Sequence, residues 1–192
     1  MYRKISLFLI LLMASLTMLT LSGCQTSSGS ETTSSSEEVN NVTASEIYDA
    51  IYTAFEEKYG DGPIVNAPTD VDDTILSETF HLTSDEVESY CGVIAGMMTN
   101  CDQLLVVQAK DGKIDEVTSA LETALQSQKD SFARYPVMYN DVRLEDAKVV
   151  VNGNYAALLI VGVITDEIDE SGEADFTEDV DMAENAFNSA IG

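Results

Sequence analysis

The dipeptide Asn152-Gly153 lies between two apolar runs, residues 147–151 and 154–164, and this constrains the fold more than any other feature of the chain. Asn-Gly readily takes the positive φ angles of a type I′ turn, whose twist suits two antiparallel strands, so the flanking runs read as a hairpin. Two more short apolar runs, 93–98 and 103–109, flank Thr99-Asn100-Cys101-Asp102 and read as another strand pair joined by a turn. Between the pairs, Ile114, Val117, Leu121, Ala124 and Leu125 recur at spacings of three and four. They mark an amphipathic helix over 113–133 that stops before Pro136.

The flanks read as helical. Thr43 and Glu46 have the spacing of a capping box ahead of a helix over 43–59 that puts Ile47, Ile51, Ala54 and Phe55 on one face. Residues 60–68, with two glycines and two prolines, interrupt it. Short helices are expected near 72–80 and 84–91, the second opening on Ser84, and a last helix over 177–191. The expected class is α+β: an antiparallel sheet of three to four strands with helices packed on one side, preceded by an N-terminal helix.

The first 23 residues belong to no fold. Arg3 and Lys4 form a positive start, residues 5–20 an apolar stretch, and Leu21-Ser22-Gly23-Cys24 a lipoprotein cleavage signal. Cleavage between Gly23 and Cys24 leaves Cys24 to be acylated. Two or more acyl chains, at ~0.8 kcal/mol per buried CH₂, hold a protein stably on a bilayer. Residues 24–42 are rich in Ser, Thr and Glu and read as a disordered tether whose span is on the order of 25 Å. Residues 43–192 have the length of a single domain. The expected location is the extracytoplasmic face of a cell membrane.

Charge narrows the partners. The chain carries a formal charge of -25, which makes nucleic acid and anionic lipid surfaces poor partners. After the leader, every cation except Lys58 falls within residues 110–148, so the middle third is a candidate partner-facing surface. Within it, Phe132, Arg134 and Tyr135 sit where the long helix ends, either plugging the core or forming an aromatic contact face.

Motifs for catalysis are sparse. His81 is the only histidine, which excludes a multi-histidine metal site within the chain and leaves any nucleophile a single possible base. An enzyme would need carboxylates such as Asp102 or Asp141 to converge in a cleft. Cys91 and Cys101 could close a ten-residue disulfide loop or remain small buried thiols; a hairpin turned at Thr99-Asn100 sets Met98, not Cys91, opposite Cys101. The acidic stretch Glu167, Asp169, Ser171, Asp175 and Glu178, with Gly172 at the sixth position, approximates a calcium-binding EF loop, though Glu replaces the expected first Asp. A solvated acidic connection explains the same residues.

The segments Lys110-Asp111-Gly112-Lys113-Ile114-Asp115-Glu116-Val117 with Ala120-Leu121, then Phe132-Ala133-Arg134-Tyr135-Pro136, then residues 147–155, occur in an order and spacing that resemble domain-of-unknown-function family 4358. The resemblance spans residues 44–191 and implies a surface lipoprotein of clostridia or related Gram-positive bacteria with an α+β fold. It brings no activity, cofactor or site residue. The function expected from the residues is a non-enzymatic binding module for an envelope protein, with no cofactor; a small-ligand or calcium-binding lipoprotein is the alternative.

Overall fold

The computed structural model describes residues 42–60, 62 and 64–192. The leader, Gly23, Cys24 and all of the tether but Val42 lie outside the described residues. The elements are α1 (Ala44–Tyr59), β1 (Pro68–Asp70), α2 (Asp73–Thr79), β2 (Val87–Ala95), β3 (Gln103–Ala109), α3 (Ile114–Phe132), a 3₁₀ turn (Val137–Tyr139), α4 (Asn140–Asp146), β4 (Lys148–Asn152), β5 (Tyr155–Ile160), α5 (Asp166–Ser171) and α6 (Thr177–Ile191).

The class is α+β, and the strands form one antiparallel sheet in the order β1-β2-β3-β5-β4. Five strands are present where the sequence pattern predicts three or four, because β1 is only three residues long and wholly exposed, which gives it no apolar pattern to read. Helices cover both faces of the sheet rather than one. Along β3 and β5, Leu104, Val106, Ala157 and Leu159 pack with Ile47, Ile51 and Phe55 of α1 and Val180 and Phe187 of α6. Their neighbours Leu105, Val107, Ala156 and Leu158 point the other way, toward Leu76 of α2, Val117 and Leu121 of α3, and Leu144 of α4. Strands that alternate between two buried faces read as continuous apolar runs.

Local chemistry accounts for the remaining differences. The capping box of α1 forms, with Thr43 Oγ1 accepting from Glu46 N–H while Glu46 accepts from Thr43 N–H. Residues 84–91 are not a helix. Thr83 and Glu86 close a single turn, and from Val87 the chain pairs with β3 instead. Gly92 permits this pairing, since a Cβ there would lie 2.5 Å from the carbonyl oxygen of Leu104. The hairpin between β4 and β5 pairs Asn152 with Tyr155, so its turn residues are Gly153 and Asn154. Gly153 has φ 57 and Asn154 is not in the positive-φ region, so the turn carries its glycine first, the arrangement of a type II′ hairpin rather than I′.

Candidate functional site

Asp102, just before β3, and Arg143, on α4, are both fully inaccessible and form an ion pair with Arg143 Nε 2.9 Å from Asp102 Oδ1. The remaining guanidinium nitrogens donate to Met138 O (3.1 Å) and Gly162 O (3.0 Å), and the Phe176 ring covers the group at 4.7 Å. On the acid side, Asp102 Oδ2 accepts from Asn100 Nδ2 at 2.9 Å and from both the backbone N–H and the side-chain amide of Asn66 at 3.3 Å. Burial pushes the Asp102 carboxyl above its ordinary value, opposed by the charge of Arg143. This pair therefore ties together three segments that are distant in sequence.

Those segments wall a cleft of about 720 Å³. Gly62, Ile64 and Asn66 form one side, Pro136, Met138 and Tyr139 a second, and the chain leaving β5 at 162–164, with Asp169 of α5, the third. Strained backbone collects here: Met138 (φ 54), Tyr139 (φ 56) and Ala67 (φ 47), next to Asn66, are left-handed although none is glycine. Such residues cost roughly 1–3 kcal/mol each and persist where the surroundings over-determine them. At Met138 the over-determining contact is the hydrogen bond that its carbonyl accepts from Arg143.

Beside the cleft the surface turns apolar. Of the large hydrophobic side chains left exposed among the described residues, Met97, Met98, Tyr135 and Val137 lie in the loop after β2 and the connection after α3, and Met98 is 98% accessible. Asn140 joins these loops, donating to Thr99 O (2.8 Å) and accepting from Cys101 N–H (3.2 Å). A groove of about 550 Å³ runs between Met98, Thr99, Ser131, Phe132, Arg134 and Tyr135. The expected face thus divides: Phe132 is half-buried against the core below α3, while Arg134 and Tyr135 are exposed beside Met98.

Other expected groupings do not assemble. The EF-type loop is replaced by α5, which holds Glu167, Asp169 and Ser171 on a helix capped by Thr165 and ended at Gly172. Asp175 accepts from Thr177 N–H, and Glu178 faces Lys58 at 3.4 Å. Among the described residues no cluster of three or more His, Cys, Asp or Glu side chains is placed to hold a metal ion. The middle-third cations do not share one face: Lys148 reaches Asp181 and Glu184 on α6, Lys113 pairs with Glu116, Lys110 bonds the carbonyl of Ser84, and Arg143 is buried.

Cys91 and Cys101 are free thiols; Cys91 lies opposite Val106, and burial pushes Cys101 up to about 11, so it is held protonated. Asp141 is exposed in a separate groove with Lys129 and Glu145 and does not converge with Asp102. Nothing in the sequence marks Asn66 or Arg143 for this site, although a basic residue at the expected end of a helix-to-strand connection is visible.

The model described as "Domain of unknown function (DUF4358)" matches residues 64–161, just over half of the 192 residues. The chain belongs to this family. No curated protein and no solved structure matches the chain. The DUF4358 span includes all five strands, α2 to α4, the Asp102–Arg143 pair and the exposed loop pair; it ends before α5, α6 and Asp169. Among the described residues, no helix is long and apolar enough to cross a membrane.

Proposed function

We propose that the protein is a lipoprotein of the extracytoplasmic membrane face of a Gram-positive cell, anchored through acylated Cys24, and that it works as a non-enzymatic interaction module for an envelope protein. The observation that carries this reading is the exposed set Met98, Tyr135 and Val137 on two loops that Asn140 fixes to each other. Contiguous apolar surface rimmed by polar groups marks interaction sites, and aromatic and Met side chains beside an Arg are the composition such sites favour. Arg134 supplies that cation, and the net charge of -25 over the whole chain turns away nucleic acid and polyanions.

Two experiments test it. Cys24→Ser should release the protein from the membrane fraction. A photo-crosslinking amino acid at Met98, compared with one at Asn154 on the opposite hairpin, should capture a single protein from intact cells at the first position only. Equal capture at both positions, or none at Met98, contradicts the proposal.

A further inference from the structure

Among the described residues, the side chains of the cleft walled by Asn66, Tyr139 and Asp169 present hydrogen-bond acceptors, and their own donors are already committed. Asn66, which lines the cleft, commits its amide nitrogen and its backbone N–H to Asp102, and its side-chain oxygen is its remaining polar side-chain atom. Tyr139 gives its hydroxyl proton to Ile168 O, so its oxygen is left to accept. Val163 N–H is committed to Asp179, and the Arg143 nitrogens are spent on Asp102, Met138 O and Gly162 O. Asp169 can only accept when ionised, and it takes part in none of the ion pairs among the described residues. Among the described residues, no lysine or arginine lines the cleft.

We propose that this cleft binds a small organic ammonium compound, its charged nitrogen donating to Asp169, Asn66 Oδ1 and the Tyr139 oxygen while its carbon skeleton packs on Ile64, Met138 and Ile164. An ammonium brings three donors and no acceptor, the complement of what the walls offer. The volume, about 720 Å³, is within the range of small-molecule sites, and the -25 charge concentrates cations at the surface. Calcium fits less well, since it takes about six to eight oxygen ligands and the lining supplies one carboxylate among largely apolar side chains. This site goes beyond the docking surface and does not depend on it.

The test is an amide-resolved NMR titration of the isotope-labelled protein with phenethylamine, cadaverine and glucosamine, each beside its N-acetylated counterpart, and with calcium chloride alone. At least one amine should shift the amides of Asn66, Tyr139 and Ile164 at millimolar concentration while its acetylated form does not. Asp169→Asn, on the exposed side of α5, should weaken that binding about tenfold, and Asp169→Glu should retain most of it. The inference is overturned if none of the three amines moves those amides, if the acetylated forms bind equally, if calcium alone gives the same shifts, or if Asp169→Asn binds as before.

Discussion

The two ends of the sheet are built differently. At the hairpin end, the tight turns use glycine where φ must be positive, at Gly112 and Gly153, and the charged groups are satisfied at the surface: Lys110 on Ser84 O, Lys113 on Glu116, Glu86 on Thr83. At the other end, Ala67, Met138 and Tyr139 hold left-handed backbone without glycine, an ion pair is fully buried, and Met97, Met98, Tyr135 and Val137 stand exposed. The first end is arranged as stability alone would arrange it. The second carries strain, desolvated charge and exposed apolar surface together, and functional sites are where chains depart from local consistency. Among the described residues, His81, left-handed near the start of α3, is the one non-glycine exception to this division.

The largest effect should come from breaking the buried pair. Arg143→Met leaves Asp102 in the interior without its counter-charge and should cost about 3–5 kcal/mol in urea unfolding. The double variant Asp102→Leu/Arg143→Met should be less destabilised than Arg143→Met alone, because no uncompensated charge remains. At the hairpin end, Lys113→Met should leave the unfolding midpoint nearly unchanged, since an exposed i,i+3 pair contributes little. Next in size is Gly162→Ala. A Cβ there would lie 2.3 Å from the Phe176 ring, which must move off Arg143, at about 1–3 kcal/mol.

Acid should separate the two ends by sign. Hydrogen bonds from Thr83 hold Glu86 below its ordinary value, so its contribution is present above the ordinary glutamate range and is lost as pH falls through the lowered value. Burial raises Asp102, so its contribution has the opposite slope and declines as pH rises from the ordinary aspartate value toward the raised one. Unfolding midpoints measured from acid to neutral pH should show a shallower acid loss in Glu86→Gln and a steeper one in Asp102→Asn. One small expected effect is a gain: Ala67→Gly, at an exposed left-handed residue, should stabilise by about 0.5–1 kcal/mol.

Much of the frame is legible in the sequence because it rests on local signals. The Thr43–Glu46 box, the periodicity of α3 and α6, and the turn between β4 and β5 are each written in a few adjacent residues. Helices are expected from the sequence on one side of the sheet, yet the signal for two-sided coverage is present: Leu104-Leu105-Val106-Val107 and Ala156-Ala157-Leu158-Leu159-Ile160 are continuous apolar runs, which a one-sided sheet would have interrupted with polar residues. The helix expected to open on Ser84 is a single turn closed by Thr83 and Glu86, because a cap residue reports only where a turn begins, whereas pairing with β3 sets the conformation from Val87 onward. The site is the least legible part. Asp102 and Arg143 are 41 positions apart and look like ordinary surface charges until the fold buries both. Pro136 marks the end of α3 and with it Arg134 and Tyr135, but their neighbours Met97 and Met98 reach them only through Asn140.

The contrast between the ends is tested most directly by Met98→Asp/Tyr135→Asp in the full-length protein, with urea unfolding and site-specific crosslinking from residue 137 measured on the same preparation. The expected result is an unfolding free energy within about 0.5 kcal/mol of the parent, as for surface substitutions, together with loss of the captured protein. Retention of capture in the folded variant would contradict the assignment of this end as the interaction surface, and a large loss of stability would show that Met98 and Tyr135 serve the fold instead.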